Sequence, residues 1–231
     1  MRLRALRMTR RPGKMRSCGL VGWLWRLLPV VLFSSAGHAA NETLETLLTR
    51  LQFQQTQRIA YRETRHMQLL SQPWQATGDL YIALDRLVIL QQEPQRTLTV
   101  ITATHLQHSS AQHDNITRLA LQQPFDVPVL KPFLLLLYDS DAAGQLERAY
   151  RTELRHTGGR WQLQLLPVEP AEDQPSAMTL SGASGLQPDT LLLQFADGDF
   201  TEWRFTAVST GGEAEAALEA LLATDAAGFD E

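Results

Sequence analysis

A chain of 231 residues that is 44% hydrophobic has enough apolar content for one domain with a sizeable core, and its single cysteine excludes a disulfide scaffold. Its charge is unevenly placed. Eight of the 21 basic residues and the cysteine fall within the first 39 positions, where there is no acid, and the rest carries 13 basic against 25 acidic residues, a net charge of −12 that argues against nucleic acid and anionic lipid surfaces as partners.

The first 39 residues read as an address rather than as fold. Arg2, Arg4, Arg7, Arg10, Arg11, Lys14, Arg16 and Arg26 precede the apolar run LLPVVLF (Leu27 to Phe33) and the small-residue run SSAGHAA. This is the pattern of a cleaved secretory signal peptide, with the cut expected after Ala39 and Met1, Met8 or Met15 as the start. The apolar run falls short of the roughly 20 residues needed to span a bilayer. The expected organisation is a signal peptide over 1–39, one domain over 40–209, and an acidic tail over 210–231, expected to be mobile, with Leu218, Leu221 and Leu222 as the residues of a weak helix if one forms there.

In the domain, Asn41 is expected to cap a helix with Glu42 and Glu45 in its first turn, and Leu44, Leu47, Leu48 and Leu51 form one apolar stripe at helical spacing. Residues 56–70 and 77–91 read as a strand pair. In the first, Arg62, Thr64, His66 and Gln68 form the wet face, opposite Ile59, Tyr61, Met67 and Leu69, with Glu63 and Arg65 interrupting the apolar row. In the second, Leu80, Ile82 and Leu84 share the dry face, and Asp79, Tyr81, Ala83 and Asp85 the wet one. Thr97 to Leu106 and Ile116 to Leu121 are further strands. The Pro-rich stretch 125–132 leads into a helix buried all round from Phe133 to Tyr138, and a second helix or a turn follows over Ala142 to Tyr150, with Leu146 inward. RTELRH, WQLQLLP, AMTLSG, TLLLQF and TEWRFTAV are five more strands, with hairpin turns at Gly158-Gly159 and Asp197-Gly198. About nine antiparallel strands with helices placed early and midway make an α+β fold, a sheet with one apolar face to cover.

Catalytic constellations are weak. His105, His108, His113 and Asp114 are the one group with metal-ligand spacing, but His105 and His108 fall on opposite faces of a strand, and the surrounding polar run reads as a hairpin loop. Gly182 to Gly185 lacks the second glycine of a nucleophile elbow. The pairs Asp139/Asp141 and Asp197/Asp199 sit in turns with nothing to desolvate them. Neither enzyme activity, nor a metal, nor a cofactor is expected. What stands out is apolar surface: Trp74, Trp161, Trp203, the Leu134 to Leu137 run and LLL at 191–193 exceed what one face of a sheet needs, which fits either a well-filled core or a cavity for acyl chains.

The order Y-x-E-x-R-H-x-x-L-L (Tyr61 to Leu70), Pro73-Trp74, G-x-L (Gly78 to Leu80), D-R-L (Asp85 to Leu87) and Pro94 resembles the LolA-like group of outer-membrane lipoprotein carriers. The resemblance continues through Leu134 to Leu154, Trp161 to Pro167 and Phe195 to Phe205. Tyr61 replaces the usual Phe. Ala83-Leu84 stand where the family carries Lys-Arg, so Arg86 is the candidate contact with the lid. The resemblance implies an open half-barrel, a strongly curved antiparallel sheet, whose lid helix carries Leu44, Leu47, Leu48 and Leu51. It also implies a periplasmic, monomeric carrier that shields acyl chains of a lipoprotein between an inner-membrane releasing transporter and an outer-membrane acceptor. The cavity candidates are Tyr61, Met67, Leu69, Trp74, Leu80, Ile82, Leu84, Leu98, Val100, Phe133, Leu135, Trp161, Leu163, Leu193, Phe195 and Trp203. The alternatives are a lipid- or lipoprotein-sensing regulatory module on the same fold and an accessory protein of a lipid or polyene-pigment exporter.

Overall fold

The computed structural model describes residues 42–52, 54–110, 113–139, 141–172 and 174–227. The expected leader and cleavage site, and Asn41, lie outside them. The described residues belong to one compact unit, Ala40–Glu231. Eleven strands form one sheet: β1 (Gln57–His66), β2 (Trp74–Ile82), β3 (Arg86–Glu93), β4 (Thr97–Thr102), β5 (His105–Ser110), β6 (His113–Ala120), β7 (Tyr150–Thr157), β8 (Arg160–Pro167), β9 (Ala177–Ala183), β10 (Pro188–Gln194) and β11 (Phe200–Thr210). Four α-helices accompany them: α1 (Leu44–Leu51), α2 (Lys131–Tyr138), α3 (Ala142–Ala149) and α4 (Gly212–Ala227).

Two meanders meet at the middle. The strand order β6-β5-β4-β3-β2-β1-β11-β10-β9-β8-β7 puts the first and last strands side by side at the centre, and all ten pairings are antiparallel. The edges are β6 and β7, which do not pair, so the sheet is open. The connection between them must cross the whole sheet, and residues 121–149 do so over one face, carrying α2 and α3. That crossing is the topological reason the apolar face is covered by helices. The sheet also curls. Leu106 of β5 and Leu193 of β10 line one cleft although six strand positions separate them, about 29 Å in a flat sheet at ~4.8 Å per strand.

Local chemistry accounts for the breaks in the strand series. The run expected as one strand over 77–91 is two, because the chain reverses at Leu84-Asp85, where Ala83 N–H donates to the Arg86 carbonyl at 2.9 Å. Thr97 to Leu106 likewise divides into β4 and β5. The histidine-rich run is part of β5 and β6 rather than a loop. Gly78 sits at an irregularity in the β2–β3 register, where a Cβ would lie 1.9 Å from the Leu90 carbonyl oxygen; only glycine permits that approach. Gly158 and Gly159, at φ 59° and 75°, supply the positive-φ turn between β7 and β8.

The main core lies between the inner face and α1 to α3. It contains Leu47, Leu48, Leu51, Tyr61, Phe133, Leu146, Trp161, Leu163 and Trp203. Thr43, not Asn41, caps α1, its side chain accepting from the Thr46 N–H. A second cluster occupies the outer face: Tyr81, Ala83, Val88, Leu90 and Leu98 pack beneath Leu218 of α4. Within the segment expected as a mobile tail, Gly212–Ala227 therefore form a 16-residue helix. The face of β2 expected to be wet is dry, since α4 covers it. Leu218, Leu221 and Leu222 were the visible part of a stripe that also needs Ala214 and Ala217.

Candidate functional site

The central pair β1–β11 sets the middle of the inner face. Tyr61 stacks on Trp203 with ring centroids 4.9 Å apart, and Trp203 meets Phe205 edge-on at 6.5 Å. Glu63 lies directly across from Trp203 and is only 3% exposed. Arg65 lies on the same side of β1, its Nε 2.5 Å from the Glu63 carboxylate and its guanidinium 4.5 Å from the Trp74 ring. The residues that interrupt the apolar row are thus a compensated ion pair inside the apolar face.

Two apolar hollows flank α2. One is a narrow seam of about 30 Å³ between α1, α2 and the sheet, lined by Leu51, Ile59, Leu80, Ile82, Phe133, Leu136 and Phe205 among others. The other is a cleft of about 480 Å³ near the ends of β1, β10 and β11, walled on its far side by β3 to β5 and roofed by Val127, Val129 and Leu130. Its apolar lining includes Met67, Ile89, Ile101, Leu106, Leu193, Phe195, Phe200 and Trp203, and its polar lining includes Glu63, Arg65, His66, Thr99, Asp197, Asp199 and Thr201. A third, polar hollow of about 380 Å³ lies between residues 123–126 and α2–α3, where Phe125 (φ 55°) stacks on Tyr138 at 4.2 Å.

The cavity candidates divide accordingly. Met67, Leu193, Phe195 and Trp203 line the cleft, and Leu80, Ile82 and Phe133 line the seam. Tyr61, Trp161 and Leu163 belong to the packed core, and Trp74 is half-buried under Arg65. Leu135 faces the polar hollow. Four were misplaced. Leu69 is 97% exposed in the β1–β2 connection, and Leu84 is 73% exposed because the hairpin ends the alternation at Ile82. Leu98 and Val100 lie on the outer face with the α4 cluster, and Thr99 and Ile101 take their place inside. In TLTVIT both faces carry branched or apolar residues, so alternation alone did not choose between them. Sequence reasoning also missed Ile89, Leu106, Val127, Val129, Leu130 and Thr201. Ile89 faces inward because its partner across the strands is Leu80, a pairing that the single-strand reading of 77–91 concealed.

The helix expected to be the lid, α1, is held differently from expectation. All four leucines of α1 face the core, Leu44 at its margin. The Arg86 side chain pairs with Asp85 at 2.5 Å, and it is the Arg86 carbonyl that accepts from Tyr138 Oη, at 2.6 Å, at the end of α2. The basic residue tying α1 down is Arg50. It bonds Glu42 at 2.6 and 2.9 Å, donates to the Leu186 carbonyl and sits 5.5 Å from the Trp161 ring centroid. Among the described residues no cluster of three potential metal ligands occurs; His105 and His108 Nδ1 lie 2.9 Å from Thr102 and Thr99 hydroxyls. The His113 side chain lies outside the described set. No helix among the described residues is long and apolar enough to cross a membrane.

No protein-family model and no curated protein matches the sequence. Among solved structures, the chain is similar to a LolA superfamily protein from Nitrosomonas europaea at 9% identity and TM-score 0.39, over 72% of this chain and 93% of that one. It is also similar to a putative outer membrane lipoprotein-sorting protein domain from Vibrio parahaemolyticus (7%, TM-score 0.40, 73% and 91%). An uncharacterized conserved protein from Thermus thermophilus aligns at 9% identity and TM-score 0.44, over 73% and 88%.

Proposed function

We propose that this protein is a carrier that holds the acyl chains of a lipoprotein, or of a related lipidated molecule, within its inner face during transfer between membranes. The observation that supports the reading is the cleft: about 480 Å³, within the roughly 300–1,000 Å³ of ligand sites, mostly apolar with polar groups among its lining. Each methylene moved from water into such a site is favoured by about 0.8 kcal/mol, so cargo passes down a series of apolar sites without any bond being made or broken. On this reading the leader delivers the chain to the periplasm, where an inner-membrane donor loads a monomer and an outer-membrane acceptor empties it.

The direct test is to purify the protein from the periplasm of its own cells, extract it and weigh the bound lipid by mass spectrometry; an acylated molecule at near-stoichiometric amount is expected, and none would overturn the reading. Its placement is checked with an alkyl fluorescent probe. Val129 lines the cleft and is exposed enough to accept a charge without unfolding, so Val129→Asp should weaken the probe several-fold. Leu84→Asp, outside it, should leave binding intact.

A further inference from the structure

Among the described residues, one buried side-chain polar atom meets no partner: Nε1 of Trp203, a residue 6% exposed that lines the cleft. No neighbouring group accepts from it. Glu63, directly across on β1, is held by Arg65, Leu191 lies opposite on β10, and Tyr61 covers the ring face. Trp161 differs: also buried, it gives its Nε1 proton to the Leu186 carbonyl at 3.1 Å. A buried donor without an acceptor is costly, and indoles in folded proteins usually find one.

The charges lining the cleft narrow the choice of acceptor. Three carboxylates, Glu63, Asp197 and Asp199, face one guanidinium, Arg65. An anionic head group entering there meets like charge with only a shared cation to offset it. A neutral oxygen does not. We infer that Trp203 Nε1 donates to the carbonyl oxygen of a neutral acyl ester or amide, and that the cleft prefers such acyl carbonyls to fatty carboxylates. The inference rests on the carrier reading and names the chemistry at the head of the chain that the cleft holds.

The test uses three probes of matched chain length, N-methyldodecanamide, 1-chlorododecane and dodecanoate, each competing with a fluorescent alkyl probe at neutral pH. The wild-type protein should bind the amide more tightly than dodecanoate. Trp203→Phe keeps the ring and removes the donor; it should weaken the amide by roughly three- to tenfold, the range of one hydrogen bond, and leave the chloride unchanged. The wild-type indole N–H resonance of Trp203, assigned through its contact with the Tyr61 ring, should move downfield with the amide and not with the chloride, a readout that does not need the variant. Equal weakening of both ligands, no weakening, an unmoved resonance, or tighter binding of dodecanoate overturns the inference while leaving the carrier reading in place. Failure of every probe to bind the wild type overturns both.

Discussion

Glu63 is tolerated on an apolar face because Arg65, two residues along and on the same side of β1, closes a 2.5 Å bridge to it. Removing one partner of a buried pair typically costs about 3–5 kcal/mol. The Arg65 side chain is nearly half exposed, so water partly takes its place and about 2 kcal/mol is the fitting expectation. Arg65→Ala should lower the urea midpoint accordingly, and Arg65→Ala/Glu63→Gln should recover much of it; a double variant no better than the single would mean that Glu63 is not the source of the loss. Three phenols on the same face respond to base. Tyr61, Tyr138 and Tyr150 are pushed above the ordinary tyrosine value of 10.0, in each case chiefly by burial and secondly by a carboxylate, Glu63, Asp85 and Asp126 respectively. Near pH 10 the unfolded chain releases these protons while the folded chain keeps them, so stability falls as pH rises from there and is indifferent to them below. Melting temperature should be flat with respect to these groups up to about pH 9 and drop beyond about pH 10, with a shallower drop in Tyr61→Phe. These residues show where pattern reading stops. The alternation of β1 was legible through Ile59 and Tyr61. A charge on the dry face reads as an interruption until its partner is placed beside it, and no spacing rule distinguishes Glu63 with Arg65 from two solvated side chains.

At the scale of elements, α1 was legible because its leucines repeat at helical spacing, but its fastening was not. Arg50 joins Glu42, the Leu186 carbonyl and the Trp161 ring, and Gln187 returns a bond to the Arg50 carbonyl at 3.1 Å. Those partners lie up to 137 residues away, so only the fold brings them together. Arg50→Ala should cost about 1.5–3 kcal/mol, the range for hydrogen bonds to a charged group. If α1 moves to admit cargo, the same variant should speed association of an alkyl probe more than it changes stability; unchanged association kinetics would place the entry elsewhere. The hairpin at Leu84-Asp85 is the complementary lesson. Apolar alternation ran through Leu84 without a break, and the turn there contains no glycine or proline, so one long strand was the natural reading of what are two strands with Leu84 at the tip.

The whole molecule distributes its apolar surface in a way the chain only partly reveals. The antiparallel series and the helices inserted at its midpoint follow from alternation and turn residues, and the crossing from edge to edge explains why those helices cover the inner face. The outer face has its own apolar patch, confined to β2 to β4, and α4 closes it from a strand, β11, at the centre of the sheet. A tail of alternating Ala and Glu disguised this, because alanine supplies helix propensity and small contacts rather than an obvious stripe. A chain ending after Thr210 should therefore expose Tyr81, Ala83, Val88, Leu90 and Leu98 together. Burying a large apolar side chain is worth about 1.5–3 kcal/mol, so the loss should reach several kcal/mol of a total that is typically about 5–15. The truncated protein should melt well below the full chain and bind a dye for exposed apolar surface. Ala83→Glu is the point counterpart. At 7% exposure beneath α4 it should strongly destabilise the full chain, and its additional effect should be small once α4 is gone, because the carboxylate is then hydrated. The apolar cleft lies on the opposite face and none of its lining comes from α4, so alkyl-probe binding by the folded fraction should stay within about twofold in both variants. Loss of probe binding in truncated protein that is still folded would show that the two faces are coupled through β2 and β3, and that α4 helps to shape the cleft from behind.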